Sequence, residues 1–145
     1  MSKLIINLVV FFFLTFFQTY AFSKENFFES ALDLYEKEKY DEARFLFERN
    51  IVFNPKDANS YLYLAKIYNF EDNQRKEEFN LKTTLLIDPK NEEALLMLMN
   101  IALEKSNYEK VNKLSETFVK VCINLCNENK KIQESLKNIE PENES

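Results

Sequence analysis

Apolar residues recur every three or four positions through most of this chain, and the apolar stretches are separated by short polar turns. The first stretch contains Phe27, Phe28, Ala31, Leu32 and Tyr35, which is the spacing of an amphipathic helix. The same spacing continues at Tyr40, Ala43, Phe47, Ile51, Tyr61, Leu64, Ala65, Tyr68, Phe79, Leu81, Thr84, Leu85, Ile87, Leu95, Leu98, Met99, Ala102, Val111, Leu114, Phe118 and Val121. The pattern predicts an all-α fold built from pairs of helices.

The helical pairs repeat at a fixed interval. Pro55 and Pro89 each follow the second helix of a pair, and the spacing between them is half of that between Tyr40 and Tyr108. We name the spacing between the two prolines the repeat interval. It matches the period of about 34 residues that is typical of helix–turn–helix arrays. Aligning the two prolines divides the chain into units 24–57, 58–91 and 92–125.

Polar residues mark the predicted helix starts and turns. Asp57 and Asn91 each stand two residues after a proline, where a side-chain oxygen can accept the first free N–H groups of the next helix. The Ser106-x-x-Glu109 motif predicts a capping box at a second-helix start. Residues that tolerate the left-handed conformation stand where a turn often uses glycine: Asp72, Asn73 and Asn107.

With these features, about 100 of the 145 residues resemble the tetratricopeptide repeat family. The matching positions are Phe27, Ala31, Tyr40, Ala43, Phe47 and Pro55; Tyr61, Leu64, Ala65, Tyr68, Leu81, Thr84 and Pro89; and Leu95, Leu98, Ala102 and Tyr108. The resemblance implies a right-handed α-solenoid of about three repeats that binds a protein or peptide partner. Glu77 departs from the pattern, because a small residue is usual at that close helix contact.

The remaining C-terminal residues divide into a helix and a tail. An apolar stripe at Ile132, Leu136 and Ile139 predicts a capping helix over residues 126–139, packed on Val111, Phe118 and Leu125. Residues 140–145 contain a proline and three acidic residues and are predicted to be a disordered tail.

The first 23 residues have the layout of a secretory signal peptide. Lys3 precedes an apolar run, Leu4 to Phe17, and Ala21-x-Ser23 fits the cleavage rule. Cleavage predicts a mature N-terminus at Lys24 and export to the periplasm. The alternative is an uncleaved anchor in the inner membrane with the repeats facing the periplasm, and the run is short for that role because a span needs about 20 apolar residues.

Composition excludes most enzyme classes. The chain contains no glycine and no histidine, which removes glycine-rich phosphate loops and histidine-dependent catalytic sites. A net charge of −5 without a basic stripe argues against nucleic-acid binding. We therefore expect no catalytic residues, no cofactor, no metal and no small-molecule substrate, and a membrane contact only through the N-terminal segment if it is retained.

The resemblance also implies where a partner would bind, since the first helices of such arrays line a concave groove. The residues predicted to line it are Phe28, Leu32, Tyr35, Leu62, Tyr63, Lys66, Asn69, Leu96, Met97 and Asn100. This set is mostly apolar and aromatic, and suits an amphipathic helix or an extended peptide. The alternative is that some of these side chains pack inside the array or under the capping helix.

Two further sets of residues invite a chemical interpretation. Cys122 and Cys126, placed on one continuous helix, are interpreted as buried thiols, with a disulfide as the alternative, because parallel Cβ vectors suit that bond poorly. The pairs Glu77/Glu78 and Glu92/Glu93 are interpreted as solvated charges on helix surfaces, not as catalytic carboxylates.

Overall fold

The computed structural model describes residues 26–139, and this part of the chain is helical throughout. The helices are α1 (Phe27–Glu36), α2 (Tyr40–Phe53), α3 (Ala58–Phe70), α4 (Gln74–Ile87), α5 (Glu92–Glu104), α6 (Tyr108–Val121) and α7 (Cys126–Ile139). Consecutive helices pack on one another along the chain, which confirms the predicted all-α solenoid with a capping helix. The predictions for residues 1–23 and 140–145 lie outside the described residues.

The helix boundaries repeat with the interval seen in the sequence. The first helix of a pair begins at Ala58, Glu92 and Cys126, and the second helix ends at Phe53, Ile87 and Val121. Each of these steps equals the repeat interval between Pro55 and Pro89. The capping helix α7 therefore takes the place of the first helix of a fourth pair.

The turn inside each pair has one residue in the left-handed region. Glu38, Asp72 and Ser106 have φ values of 59°, 55° and 52° and are again one repeat interval apart. In each turn the next residue donates its N–H to the carbonyl five residues earlier: Lys39 to Leu34, Asn73 to Tyr68 and Asn107 to Ala102. This hydrogen bond satisfies a free carbonyl at the helix end without glycine.

The side-chain caps follow the same period. Asp57 accepts the N–H of Asn59 at 3.3 Å and Asn91 accepts that of Ala94 at 3.0 Å, as predicted. The capping box at Ser106 is wrong, because Ser106 is the left-handed turn residue and Asn107 is the cap of α6. Asn107 accepts the N–H of Lys110 at 3.1 Å. Asn73 likewise caps α4, and of the three proposed turn residues only Asp72 is left-handed.

The two kinds of helix differ in burial. Helices α3 and α5 bury six and seven of their 13 residues, whereas α2 buries two of 14, so α3 and α5 lie between neighbours while α2 presents a broad face to solvent. The core continues from Phe47 near the start to Phe118, which Ile132 and Leu136 of α7 cover. Within residues 26–139, no helix combines the length and apolar character needed to cross a membrane.

Candidate functional site

An aromatic wall joins the first two units on the side of α1 and α3. The rings of Phe28 and Tyr35 lie 6.0 and 5.0 Å from the ring of Tyr63, in both cases edge to face. Tyr63 stacks on Phe47 at 5.3 Å behind it. Burial raises the pKa of Tyr35, helped by the neighbouring Tyr40 and Tyr63. The wall is therefore apolar in character, although its tyrosines carry hydroxyl groups.

Lys66 connects this wall to a polar cleft. Its Nζ lies 4.5 Å from the centre of the Tyr63 ring and 2.7 Å from Oε1 of Glu93, so a cation–π contact and an ion pair fix the same amine. The cleft has a volume of about 480 Å³ and is lined by Asn59, Leu62, Tyr63, Lys66, Lys90, Asn91, Glu92, Glu93, Asn124 and Leu125. One side chain thus links α3, α5 and the aromatic wall.

Glu92 forms the far end of the cleft together with the turn between α6 and α7. Its carboxylate accepts the backbone N–H groups of Leu125 at 2.7 Å, Ile123 at 2.8 Å and Asn124 at 3.1 Å. The Leu125 bond, with those of Ile123 and Asn124, lowers the pKa of Glu92, because these donors favour the ionised form. The start of the third unit is in this way tied to the start of α7.

The residues predicted to line the groove differ in their burial. Phe28, Leu32, Tyr35, Tyr63, Lys66 and Met97 are half-buried, while Asn69 and Asn100 are exposed. Leu62 is only 5% exposed and forms the floor of the cleft. Leu96, at 9% exposed, packs in the core that contains Ile132 and Leu136. Its assignment to a partner-binding surface is therefore corrected to the core.

Several cleft residues are missing from the sequence prediction. Asn59 and Lys90 lie next to the loop before a first helix, Asn124 lies in the α6–α7 turn, and Glu93 lines the cleft where the sequence predicts a solvated charge. Lys90 and Asn124 are loop residues that do not follow the helical period, and Asn59 and Glu93 are polar residues in the first turns of α3 and α5, where the apolar period gives no signal. Asn69, by contrast, was predicted to face the groove, and its amide donates to Glu77 at 3.1 Å.

The interpretation of the glutamates as solvated surface charges is wrong for Glu77 and Glu78. Glu77 is 4% exposed, and desolvation raises its pKa against the opposing hydrogen bond from Asn69. Glu78 accepts from Lys105 and Lys110 at 2.8 Å each and lies 3.0 Å from Lys82. The hydrogen bonds from these lysines lower the pKa of Glu78 well below its ordinary value. Both are structural groups that join neighbouring helices.

The cysteines form a disulfide between Cys122 and Cys126, with 5.3 Å between their Cα atoms. The prediction that one helix carries both is wrong. Helix α6 ends at Val121, Cys122 has an extended backbone with ψ of 139°, and Cys126 begins α7. The break removes the parallel Cβ vectors of a continuous helix, and the exposed Cys126 does not fit a pair of buried thiols.

Within residues 26–139, no group of three or more cysteine and acidic side chains is arranged to bind a metal ion. No protein-family model matches the chain, and no curated protein matches it.

Solved structures do match. The chain is similar to the first TPR of Spaghetti (RPAP3) bound to an HSP90 peptide, with a TM-score of 0.64 and 17% identity over 77% of this chain and 90% of that one. It is similar to the Yersinia enterocolitica type III secretion chaperone SycD in complex with a peptide of the translocator YopD, with a TM-score of 0.68 and 15% identity over 79% and 90% of the two chains. The Sgt2 TPR domain from Aspergillus fumigatus matches with a TM-score of 0.61 and 15% identity over 83% and 86%. The chain therefore has the tetratricopeptide-repeat fold that its sequence predicted.

Proposed function

We propose that this chain is a non-catalytic interaction module of the cell envelope that binds a peptide segment of a partner protein. The observation that carries this proposal is the aromatic wall of Phe28, Tyr35 and Tyr63, which runs into the polar cleft at Lys66. Two similar structures, SycD and the first TPR of Spaghetti, are complexes with peptides, and this supports the same class of partner here.

The site defines the chemistry of the peptide. Aromatic edges offer contact to an apolar or aromatic side chain. The cleft beside them offers amides at Asn59 and Asn91, and both signs of charge in the Lys66–Glu93 pair. Such groups bind the N–H and C=O of an extended backbone as well as a polar side chain. A segment with one or two large apolar residues next to a polar stretch fits both parts.

A catalytic function lacks support in the same groups. The acidic residues of the cleft are already engaged, Glu93 by Lys66 and Glu92 by three backbone N–H groups. A general base needs a reachable proton to accept and a nucleophile needs a base beside it. The sequence contains no histidine to serve either role.

We further propose that the protein acts in the periplasm after removal of residues 1–23. The alternative is an accessory subunit of an envelope assembly or secretion complex that is anchored in the inner membrane by the same segment. Mass spectrometry of the purified native protein tests this directly, and we expect an N-terminus at Lys24. Retention in the membrane pellet after alkaline carbonate extraction would contradict export and point to the anchored form.

Site-specific photo-crosslinking in the native cell tests the binding site. A photoreactive amino acid replaces Asn59 or Asn100 in the groove, and Lys113 on the outer face of α6 is the matched control, since all three side chains are exposed. We expect a common partner peptide to be crosslinked from both groove positions and not from position 113. Identification of the crosslinked peptide by mass spectrometry then checks it for a large apolar residue.

A charge reversal provides the second arm of that experiment. Lys66→Glu breaks the ion pair with Glu93 and places two acids in the cleft, so the groove crosslinks should fall by roughly tenfold. Lys120→Glu makes the same change on α6, outside the cleft, and should leave them unchanged. Crosslinks that form only from position 113, or that survive Lys66→Glu at full yield, would contradict the proposed site.

A further inference from the structure

Two outer helices expose large apolar side chains at matching positions. Phe45 and Val52 on α2 are 60% and 77% exposed, and Phe79 and Leu86 on α4 are 66% and 83% exposed. Phe45 and Phe79 are one repeat interval apart, as are Val52 and Leu86. Within each helix the two residues are about two helical turns apart and so lie on the same face. We name these four side chains the outer ladder.

The fold itself does not require the outer ladder. In α6 the two equivalent positions, one further repeat interval along the chain, are Lys113 and Lys120, and both are exposed. The third unit therefore folds in the same way with charged groups at these positions. Four large exposed apolar side chains at matching positions of α2 and α4 are typical of an interaction surface.

Six exposed charges beside the outer ladder have opposite signs at matching positions of the two helices. Arg49 of α2 lies over the ring of Phe27, and the half-buried Arg44 and Glu78 have the reverse order. Three flanking residues of α2 are acidic, and the residues one repeat interval later on α4 are basic: Asp41 and Arg75, Glu42 and Lys76, Glu48 and Lys82. All six side chains are exposed. In the described residues these pairs are not joined to each other, since Asp41 bridges to Arg44, Glu42 to Lys39 and Lys82 to Glu78.

We propose that two copies of this chain associate through the outer ladder about a two-fold axis that runs parallel to α2 and α4 and between them. Such an axis places α2 of one copy opposite α4 of the other, with both helices pointing the same way. Phe45 then faces Phe79 of the second copy, and Val52 faces Leu86. The acidic residues of α2 face the basic residues of α4 at the same height.

A second copy of the chain complements both the charges and the apolar side chains of the outer ladder. An anionic membrane would be repelled by Asp41, Glu42 and Glu48 as much as it is attracted by Arg75, Lys76 and Lys82, so these six charges give it no net attraction. A second copy supplies a basic residue for each of these acids and an aromatic ring for each ring. A depression of about 450 Å³ opens beside Phe45, and it gives an incoming aromatic side chain room.

The dimer is expected to be of ordinary size. Large aromatic side chains bury roughly 150–250 Å² each, and each copy contributes two of them together with Val52, Leu86 and six charged neighbours. A stable interface covers about 800 Å² per partner. The ladder and its charged rim together span an area of that order.

Sedimentation of the purified full-length chain over a range of concentrations tests the apolar part. We expect a reversible monomer–dimer equilibrium, and Phe45→Glu should weaken it by about a hundredfold, since each dimer contains two copies of the change. Lys113→Glu, at the same helix position of the third unit, should leave the dissociation constant unchanged. Phe45 is largely exposed, so circular dichroism should show an intact fold in both variants.

Charge reversal tests the direction of pairing. Asp41→Lys and Arg75→Glu should each weaken self-association by roughly tenfold, because like charges then face each other twice per dimer. Mixing the two variants should restore dimerisation, since each altered residue of one copy then faces an opposite charge on the other. An antiparallel pairing of the same faces would not show this rescue.

A chain that sediments as a monomer at every concentration would overturn the proposal. So would a dimer that survives Phe45→Glu, or a mixture of the two charge variants that stays as weak as each alone. Lys66 lies on the side of the helix pairs opposite to the outer ladder, so Lys66→Glu should not alter dimerisation. The test of the dimer is therefore independent of the test of the proposed groove.

Discussion

The C-terminal closure and the interior of the second unit each contain a glutamate that accepts hydrogen bonds from another element, with opposite consequences. The closure consists of α7, the turn at residues 122–125 and Glu92, whose carboxylate accepts three backbone N–H groups. Inside the second unit, Glu77 is buried between helices and receives one amide N–H from Asn69. Hydrogen bonds lower the pKa of Glu92, while burial raises the pKa of Glu77.

The difference shows where polar groups help a repeat array. An end must be covered, because the last pair has no following unit to bury its apolar side. Here Ile132 and Leu136 cover Phe118 and Val111, and a buried hydrogen bond of 2.8 Å from Ser115 to Asn129 sets the register of α7. An interior position already has apolar neighbours on both sides, so the carboxylate of Glu77 carries a desolvation cost that its hydrogen bond from Asn69 offsets only in part.

The largest effect is expected where the apolar cover is broken. Leu136→Asp places a charge among Leu96, Phe118 and Ile132 and should lower the free energy of unfolding by about 4 kcal/mol or more. Lys130→Asp, at an exposed position away from the C-terminal end of α7, is the control and should change it by less than about 0.5 kcal/mol. Urea denaturation followed by circular dichroism measures both, and an equal effect would show that α7 is not a structural cover.

The disulfide is expected to contribute less. Cys122→Ser with Cys126→Ser removes a link that closes a very short loop, for which the chain-entropy model gives about 2 kcal/mol. The loss should appear in urea denaturation and should match the effect of a reducing agent on the unchanged protein. Helix content should remain, since α7 keeps its apolar contacts with Phe118. A variant as unstable as Leu136→Asp would mean that the link, and not the packing, closes the array.

The periodicity of the sequence predicts much of the structure of these two regions. The repeat interval predicted the helix pairs and the caps at Asp57 and Asn91. The family resemblance, not the interval, marked Glu77 as unusual at a close helix contact. The same interval could also have located the turns. Glu38, Asp72 and Ser106 are spaced by it, whereas the local Ser106-x-x-Glu109 motif favoured the wrong cap.

The periodicity of the sequence does not predict the role of Glu92. Its partners at residues 123–125 lie 31 to 33 positions further along the chain and donate through the backbone, so their side chains carry no signal. The same holds for the cleft, which the loop residue Asn124 lines together with Asn59. Leu96 followed the helical period correctly, but the period does not say which apolar side faces a neighbouring helix and which faces a partner.

The third substitution removes the negative charge of Glu92 at the closure. Glu92→Gln keeps the shape but weakens three hydrogen bonds that an ionised acceptor makes stronger, so the protein should unfold at a lower temperature at pH 7, by less than in the disulfide variant. Because the folded pKa of Glu92 is depressed, the stabilisation is present above the unfolded value of about 4.3 and is lost as the pH falls from there through the folded pKa. The difference between the variant and the unchanged protein should therefore shrink at acid pH. Glu109→Gln, an exposed glutamate in the first turn of α6, is the control and should shift the transition less.

The last substitution is expected to stabilise the protein at pH 7. Glu77→Gln keeps a hydrogen-bond acceptor for Asn69 and removes a buried charge, so at pH 7 it should raise the free energy of unfolding by about 1 kcal/mol. The raised folded pKa means that Glu77 is harmless below about pH 4.3, where it is protonated in both states, and costs stability as the pH rises through the folded pKa. The gain of the variant should therefore disappear in acid, as the loss in Glu92→Gln does. If Glu77→Gln destabilises the protein at pH 7, the carboxylate must be held by stronger contacts than the amide of Asn69, and the contrast between the two regions would fail.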